Sequence, residues 1–184
     1  MIPLKLRRKH LRAPLYTNVI YKGGDGVQKA IMENISEGGA LISQVSSVPA
    51  EKNFDIFLDI PDLPNFSNLP IADVLSLGAE NFRHHIFHAE LEVRREFNRG
   101  ETEICLGCEF LKIDEEANKL IKTYVSNYAS NIVFTLSLFE QGVHRQEIKN
   151  LIEKTVHLLN YPKVEKMSEL RQKLLHDYQS LESL

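Results

Sequence analysis

The N-terminal two thirds of the chain consists of short runs in which apolar and polar residues alternate, each bounded by turn-forming residues. Phe54, Ile56 and Leu58, for example, alternate with aspartates, and Gly23-Gly24-Asp25-Gly26 and Asn98-Arg99-Gly100 are typical turns. Alternation places apolar side chains on one face of a β-strand. The strands predicted in this way cover about residues 15–22, 27–35, 40–45, 54–60, 87–93 and 104–110. Six or so short antiparallel strands joined by turns predict a small β-barrel, because closing the sheet removes its exposed edges.

The C-terminal third changes to a helical period, with apolar residues recurring at spacings of three and four. Asp114 is the predicted N-cap of the first helix, which is expected to end near Gly142. Two further helices follow, separated by Tyr161-Pro162. The predicted fold class is therefore mainly β with α, a six-stranded antiparallel barrel followed by C-terminal helices. We expect residues 1–131 to form the barrel domain with its docking helix, and residues 132–184 a helical extension.

The C-terminal helices carry more apolar surface than isolated helices can expose to water. A helical hairpin would bury this surface within the chain. A dimerising or partner-binding helix pair would bury it against another molecule. Both alternatives stay open, so the C-terminal helices are candidates for a homodimer interface.

Residues 61–85 interrupt the strand pattern with three prolines, Pro61, Pro64 and Pro70. Prolines and the neighbouring asparagines block regular structure, so this stretch is expected to be a loop. A loop of this length is uncommon without a role, which leaves open a lid or a partner-contact segment.

Two groups of potential metal ligands are present, but neither predicts a metal site. Cys105 and Cys108 have a CxxC spacing in a strand pattern, where residues three apart face opposite ways, so buried structural thiols are expected. His84, His85 and His88 have no partner ligands at matched spacing and are interpreted as surface histidines.

Positive charge is concentrated in one segment near the N-terminus. The whole chain carries a formal net charge of −3, yet its first twelve residues contain no acid. We call residues 5–12 the basic segment; within it Arg8 and Arg12 form an RxxxR motif preceded by Arg7. The planar guanidinium group pairs bidentately with phosphate oxygens or with guanine O6 and N7, and it stacks on bases. The segment is therefore suited to bind a nucleotide.

A second motif, NxSxxG, occupies residues 34–39, which we call the NxSxxG turn. Asn34 can donate to and accept from a base edge, and the hydroxyl of Ser36 can bond to a phosphate or a guanine. Gly38 and Gly39 allow positive φ, and their missing side chains let a ligand approach the backbone. Either motif alone has a simpler interpretation, as a solvated tail or as a strand-ending turn.

In this order and at this separation, RxxxR and NxSxxG resemble the PilZ domain, a bacterial receptor module for cyclic di-GMP. The late segments Ala89–Arg95 and Leu106–Phe110 also resemble strands of that family, and the resemblance covers about residues 5–131. It implies a flexible basic arm that wraps the nucleotide against a barrel. The residues that would bind cyclic di-GMP are Arg7, Arg8, Arg12, Asn34, Ser36, Gly38 and Gly39.

The resemblance also assigns a role to each motif residue. Arg8 and Arg12 would clamp guanine and phosphate, while Asn34, Ser36 and Gly39 would contact the opposite guanine. An arginine immediately before RxxxR is associated in the family with an intercalated pair of cyclic di-GMP molecules. Arg7 therefore favours two bound nucleotides.

Other function classes find little support in the sequence. It contains no HExxH, P-loop or GxSxG motif, so we expect a receptor rather than an enzyme, without a cofactor or metal. No helix carries a basic stripe, which argues against a nucleic-acid partner. No apolar run is long enough to span a membrane and no signal-peptide pattern is present, so we expect a cytoplasmic protein. The output would be contact with an unidentified protein partner, and the alternative is a PilZ-like interaction module without a ligand.

Overall fold

A computed structural model of the chain describes residues 10–24, 26–143, 145–162 and 166–182. Its β-strands are β1 (Ala13–Gly23), β2 (Gly26–Ser36), β3 (Gly39–Ser43), β4 (Asn53–Pro61), β5 (His84–Arg99) and β6 (Glu103–Ile113). Its α-helices are α1 (Ile71–Ser76), α2 (Glu115–Glu140), α3 (Gln146–Leu158) and α4 (Met167–Glu182).

Within the described residues, the six strands close into an antiparallel barrel in the order β1-β2-β3-β6-β5-β4. The closing pair joins β1 to β4, with Ile20 opposite Phe57 and Tyr21 opposite Ile56. The predicted barrel followed by helices is confirmed. Strand β5 is longer than the alternation predicted, because it pairs with β4 along its first half and with β6 from Ala89 onward.

Alternating residues fill the barrel interior, as the sequence pattern predicted. Phe54, Ile56 and Leu58 of β4 are buried, whereas Asp55, which lies between Phe54 and Ile56, is exposed. The first turns of α2 belong to the same compact unit. The backbone N–H of Ala117 donates to Asp114 Oδ1 at 2.7 Å, which confirms the predicted N-cap. The Tyr124 hydroxyl donates to the carbonyl of Pro14 at 2.7 Å and so links α2 to β1.

The described chain divides into two compact units. One contains His10–Asp62 and Arg83–Val125, and therefore the whole barrel. The other contains Leu63–Phe82 together with the described residues from Ser126 onward. The division into domains at residue 131 stays a prediction. No helix in the described part of the chain combines the length and the hydropathy that a membrane span requires.

The expectation of a loop at residues 61–85 is wrong for much of that stretch. It contains 3₁₀ turns at Phe66–Asn68 and Ala79–Asn81, with α1 between them. Pro70 directly precedes α1, where a proline is tolerated, and no proline follows within the helix. The Phe66 and Val74 side chains are fully buried, and this burial stabilises structure that the local composition disfavours.

A buried asparagine of α2 holds this segment in place. Asn131 is 0% exposed, and its Oδ1 accepts from the backbone N–H of Phe66 at 2.8 Å. Its Nδ2 donates to the Pro64 carbonyl at 2.8 Å, and one turn earlier Asn127 donates to the Leu63 carbonyl at 2.8 Å. These side chains replace the backbone partners that the irregular segment lacks.

We predict that Asn131→Ala lowers the free energy of unfolding by about 2–4 kcal/mol, because it leaves a buried N–H and a part-buried carbonyl without partners. Urea unfolding followed by circular dichroism measures the change. Ser126→Ala, at an exposed position of the same helix, is the control and should change stability by less than about 0.5 kcal/mol. A loss for Asn131→Ala no larger than that of the control would contradict the assigned role.

Candidate functional site

The β1–β2 hairpin brings the end of the basic segment beside the NxSxxG turn. In its register, Ala13 lies opposite Ile35 and Pro14 lies opposite Asn34. Facing residues of an antiparallel pair have Cα atoms about 4.5–5.5 Å apart. Arg12 directly precedes Ala13, so strand pairing fixes where the RxxxR motif ends. Arg7 and Arg8 lie outside the described residues.

The described part of the basic segment also contacts the NxSxxG turn through a side chain. A Cβ atom built at Gly38 would lie 2.9 Å from Cδ2 of His10, so the imidazole rests against this glycine. His10 is the central residue of RxxxR. His10 was not among the predicted ligand-binding residues. The sequence feature that could have pointed to it is its position midway between the two arginines of the motif.

The NxSxxG turn is held by its own hydrogen bonds. Ser36 is 4% exposed, and its hydroxyl donates to the carbonyl of Gly39 at 3.1 Å. The backbone N–H of Phe110 donates to the carbonyl of Gly38 at 3.1 Å, which ties the turn to β6. Asn34 is half-buried, and its side chain has no hydrogen-bond partner among the described residues. Its amide therefore keeps its donors and its acceptor for a ligand.

Gly38 and Gly39 do not use the positive φ that glycine allows. Among the described residues the glycines with positive φ are Gly26, Gly100 and Gly142. Gly39 is required for a different reason, since a Cβ atom there would clash with the carbonyl oxygen of Cys108. Its missing side chain admits the neighbouring strand β6, with Gly39 opposite Glu109 in the register.

Carboxylates around the site are paired with cations. Glu37 of the turn lies 3.2 Å from Nζ of Lys122, and Glu109 lies 2.6 Å from Nε of Arg94. Glu33, next to Asn34, accepts from Arg99 at 2.7 Å, and this hydrogen bond is the main cause that lowers the pKa of the Glu33 carboxyl. Paired carboxylates repel an anionic ligand less than isolated ones do.

The two cysteines are buried, as predicted, and both are free thiols. Burial raises the pKa of the Cys108 thiol to about 12, and it also raises the pKa of Cys105. A thiol that stays protonated at neutral pH is a poor nucleophile and a poor metal ligand.

Each histidine of the sequence cluster contacts a separate aspartate. His84 lies 2.9 Å from Asp59, His85 lies 2.9 Å from Asp62, and His88 lies 2.8 Å from Asp55. Within the described ranges, no group of three or more His, Cys, Asp or Glu side chains could hold a metal ion.

Residues 6–127 match the sequence profile of the PilZ domain, which is two thirds of the chain. The chain belongs to the PilZ domain family. The resemblance carried by RxxxR and NxSxxG is thereby confirmed. The site described above lies within the matched PilZ region.

Several solved structures are similar to this PilZ domain. The Bacillus subtilis inhibitor of motility (MotI/DgrA) has 17% identity and a TM-score of 0.47, over 65% of this chain and 50% of that chain. The match thus spans about half of the length of MotI/DgrA. The PilZ domain of Escherichia coli YcgR with c-di-GMP has 14% identity and a TM-score of 0.40, over 65% and 88%. Borreliella burgdorferi PlzA in complex with c-di-GMP has 12% identity and a TM-score of 0.37, over 70% and 52%. No curated protein matches the chain.

We predict that Gly39→Ala destabilises the PilZ domain by about 1–3 kcal/mol or more, because the added methyl group displaces a backbone carbonyl of β6. The urea midpoint reports the change. Gly24→Ala is the matched control, since its Cβ would make only an ordinary 3.6 Å contact with Ser47 Oγ. Equal midpoints for the two variants would show that β3 and β6 do not require this glycine.

The raised pKa of Cys108 predicts a pH dependence of stability. The pKa of the thiol is near its ordinary value of 9.0 in the unfolded chain and is about 12 in the folded chain. The thiol therefore stays protonated to a higher pH in the folded state than in the unfolded state. Its contribution to the free energy of unfolding is complete below pH 9 and is lost as the pH rises towards 12. Unfolding free energies measured from pH 8 to 11 should fall more steeply for the native chain than for Cys108→Ala. Parallel curves would contradict the assignment.

Proposed function

We propose that this PilZ protein is a receptor for cyclic di-GMP, which binds between the basic segment and the NxSxxG turn. The contact of the His10 imidazole with Gly38 carries the proposal, because it joins the two motifs at one surface. Membership of the PilZ family supports the choice of ligand.

The chemistry of the two motifs matches the two parts of the ligand. Arg8 and Arg12 would pair with its phosphates and with a guanine edge, since guanidinium suits both. Asn34, whose amide has no partner among the described residues, would bond to the opposite guanine. Arg7 would favour a second, intercalated nucleotide, so that the site holds a pair.

The remaining motif residues would act mainly through the shape of the turn. The Ser36 hydroxyl already donates a hydrogen bond to the Gly39 carbonyl, and the missing side chain of Gly39 leaves space for β6. Gly38 is half-buried beneath the ring of His10, which belongs to the basic segment. Direct contacts of Ser36 and Gly39 with a guanine stay predictions.

Nucleotide binding would be signalled onward through contact with a protein partner rather than through a catalysed reaction. Ligand binding would favour the conformation in which both arginines close over the barrel, because only that conformation gains their contacts. The closed segment, or the C-terminal helices, would then present a surface to a protein partner or to a second copy of the chain. A receptor of this kind needs no cofactor and no catalytic group.

A second candidate is a PilZ-like interaction module that binds no nucleotide. One observation favours it: Ser36 and Gly39 both have contacts within the fold itself, so their presence is not specific to ligand binding. Arg8→Ala and Arg12→Ala discriminate between the two candidates, because only a receptor would lose nucleotide binding in these variants.

We predict that Arg8→Ala and Arg12→Ala each weaken cyclic di-GMP binding about 10- to 100-fold, the loss expected for a charge-assisted hydrogen bond of about 1.5–3 kcal/mol. Isothermal titration calorimetry measures both affinity and stoichiometry. Lys29→Ala, which removes an exposed charge elsewhere on β2, is the control and should bind like the native chain. Native-like binding by both arginine variants would exclude the clamp.

A further inference from the structure

The outer face of the barrel carries a row of four residues that begins at Asn34. Asn34 of β2 lies opposite Leu41 of β3, and Leu41 lies opposite Gly107 of β6. Gly107 in turn lies opposite Arg95 of β5. Because directly opposite residues share a face of the sheet, the row connects the proposed nucleotide site to an arginine three strands away.

Arg95 leans along this row toward Asn34. A Cβ atom built at Gly107 would lie 2.8 Å from both Cγ and Nε of Arg95, so this side chain occupies the space above the glycine. Gly107 lies between Arg95 and Leu41 in the row, and the arginine therefore extends from β5 across β6. Its guanidinium carbon also lies 5.1 Å from the ring centroid of Phe97, a cation–π contact that orients the group.

The charge of Arg95 is accessible. Two carboxylates of β5 and β6 are engaged elsewhere: Glu92 pairs with Lys52 and Arg94, and Glu109 pairs with Arg94. Across the described ranges, no carboxylate forms an ion pair with Arg95, and its side chain is exposed. An oriented and uncompensated guanidinium group beside a nucleotide site attracts phosphate or a guanine edge.

The row also forms a surface on which a ligand could lie. Leu41 is half-buried, so the surface between Asn34 and the Arg95 side chain is shallow and partly apolar. Three strand spacings of about 4.8 Å separate the two ends at the backbone, and the Arg95 side chain shortens this gap. A flat purine can lie on such a surface with polar groups at both of its ends.

We propose that Arg95 is a further ligand-binding residue, which contacts the phosphate or guanine of cyclic di-GMP farthest from the basic segment. This inference rests on the proposed function. In it, Gly107 is a positioning residue, because its missing side chain allows Arg95 to reach across β6. The site would then extend over four strands instead of ending at the NxSxxG turn.

Calorimetric titration of the full chain with cyclic di-GMP tests the proposal. Arg95→Ala should weaken binding at least fivefold. Gly107→Ala keeps the guanidinium group but displaces it, and should also weaken binding. Lys29→Ala is the charge-matched control and should leave the affinity unchanged. Thermal unfolding without ligand should give Arg95→Ala the melting temperature of the native chain, which separates a binding loss from a folding defect.

Two results would overturn the inference, and they are distinguishable. If the native chain binds and Arg12→Ala weakens binding while Arg95→Ala binds normally, Arg95 is not part of the site and the proposed receptor function stands. If the native chain does not bind cyclic di-GMP, the proposed function and this inference fail together.

Discussion

The antiparallel pairing of β1 with β2 is the constraint on which the proposed site depends. It places Pro14 opposite Asn34 and thereby brings two motifs, separated by a full hairpin, to one surface. A slip of one residue would turn the motif side chains to the other face of the sheet. The register with β3 is irregular between Met32 and Asn34, and such bulges redirect side chains at functional sites. Barrel closure and the proposed ligand site thus share the same backbone hydrogen bonds.

Missing side chains perform two different tasks around this site. At Gly39 the absent side chain admits the backbone of β6, which the barrel needs in order to close. At Gly38 and Gly107 the space is taken instead by the side chains of His10 and Arg95. Both of these side chains lie on the outer surface of the barrel. The glycines therefore serve the fold at one position and the placement of a neighbouring side chain at the other two.

Local sequence patterns predicted the strands and helices of this protein better than they predicted the contacts between them. Alternation was sufficient for the strands, and Asp114 was sufficient for the start of α2, because these signals are confined to neighbouring residues. Helix α1 was missed because Asn131, 65 residues from Phe66, supplies the polar partners of that segment. The close approach of β6 to Gly39 was not predicted for the same reason: the contact with Cys108 is a long-range one that the turn itself does not reveal.

We propose that guanidinium groups and Asn34 together recognise a guanine dinucleotide on the barrel surface. Parallel calorimetric titrations of the native chain with cyclic di-GMP and cyclic di-AMP test it most directly. Adenine replaces the O6 acceptor of guanine with an amino donor, which arginine cannot bond. We expect saturable binding of the guanine compound and at least tenfold weaker binding of the adenine compound. Equal affinity for both, or no binding of either, would contradict it.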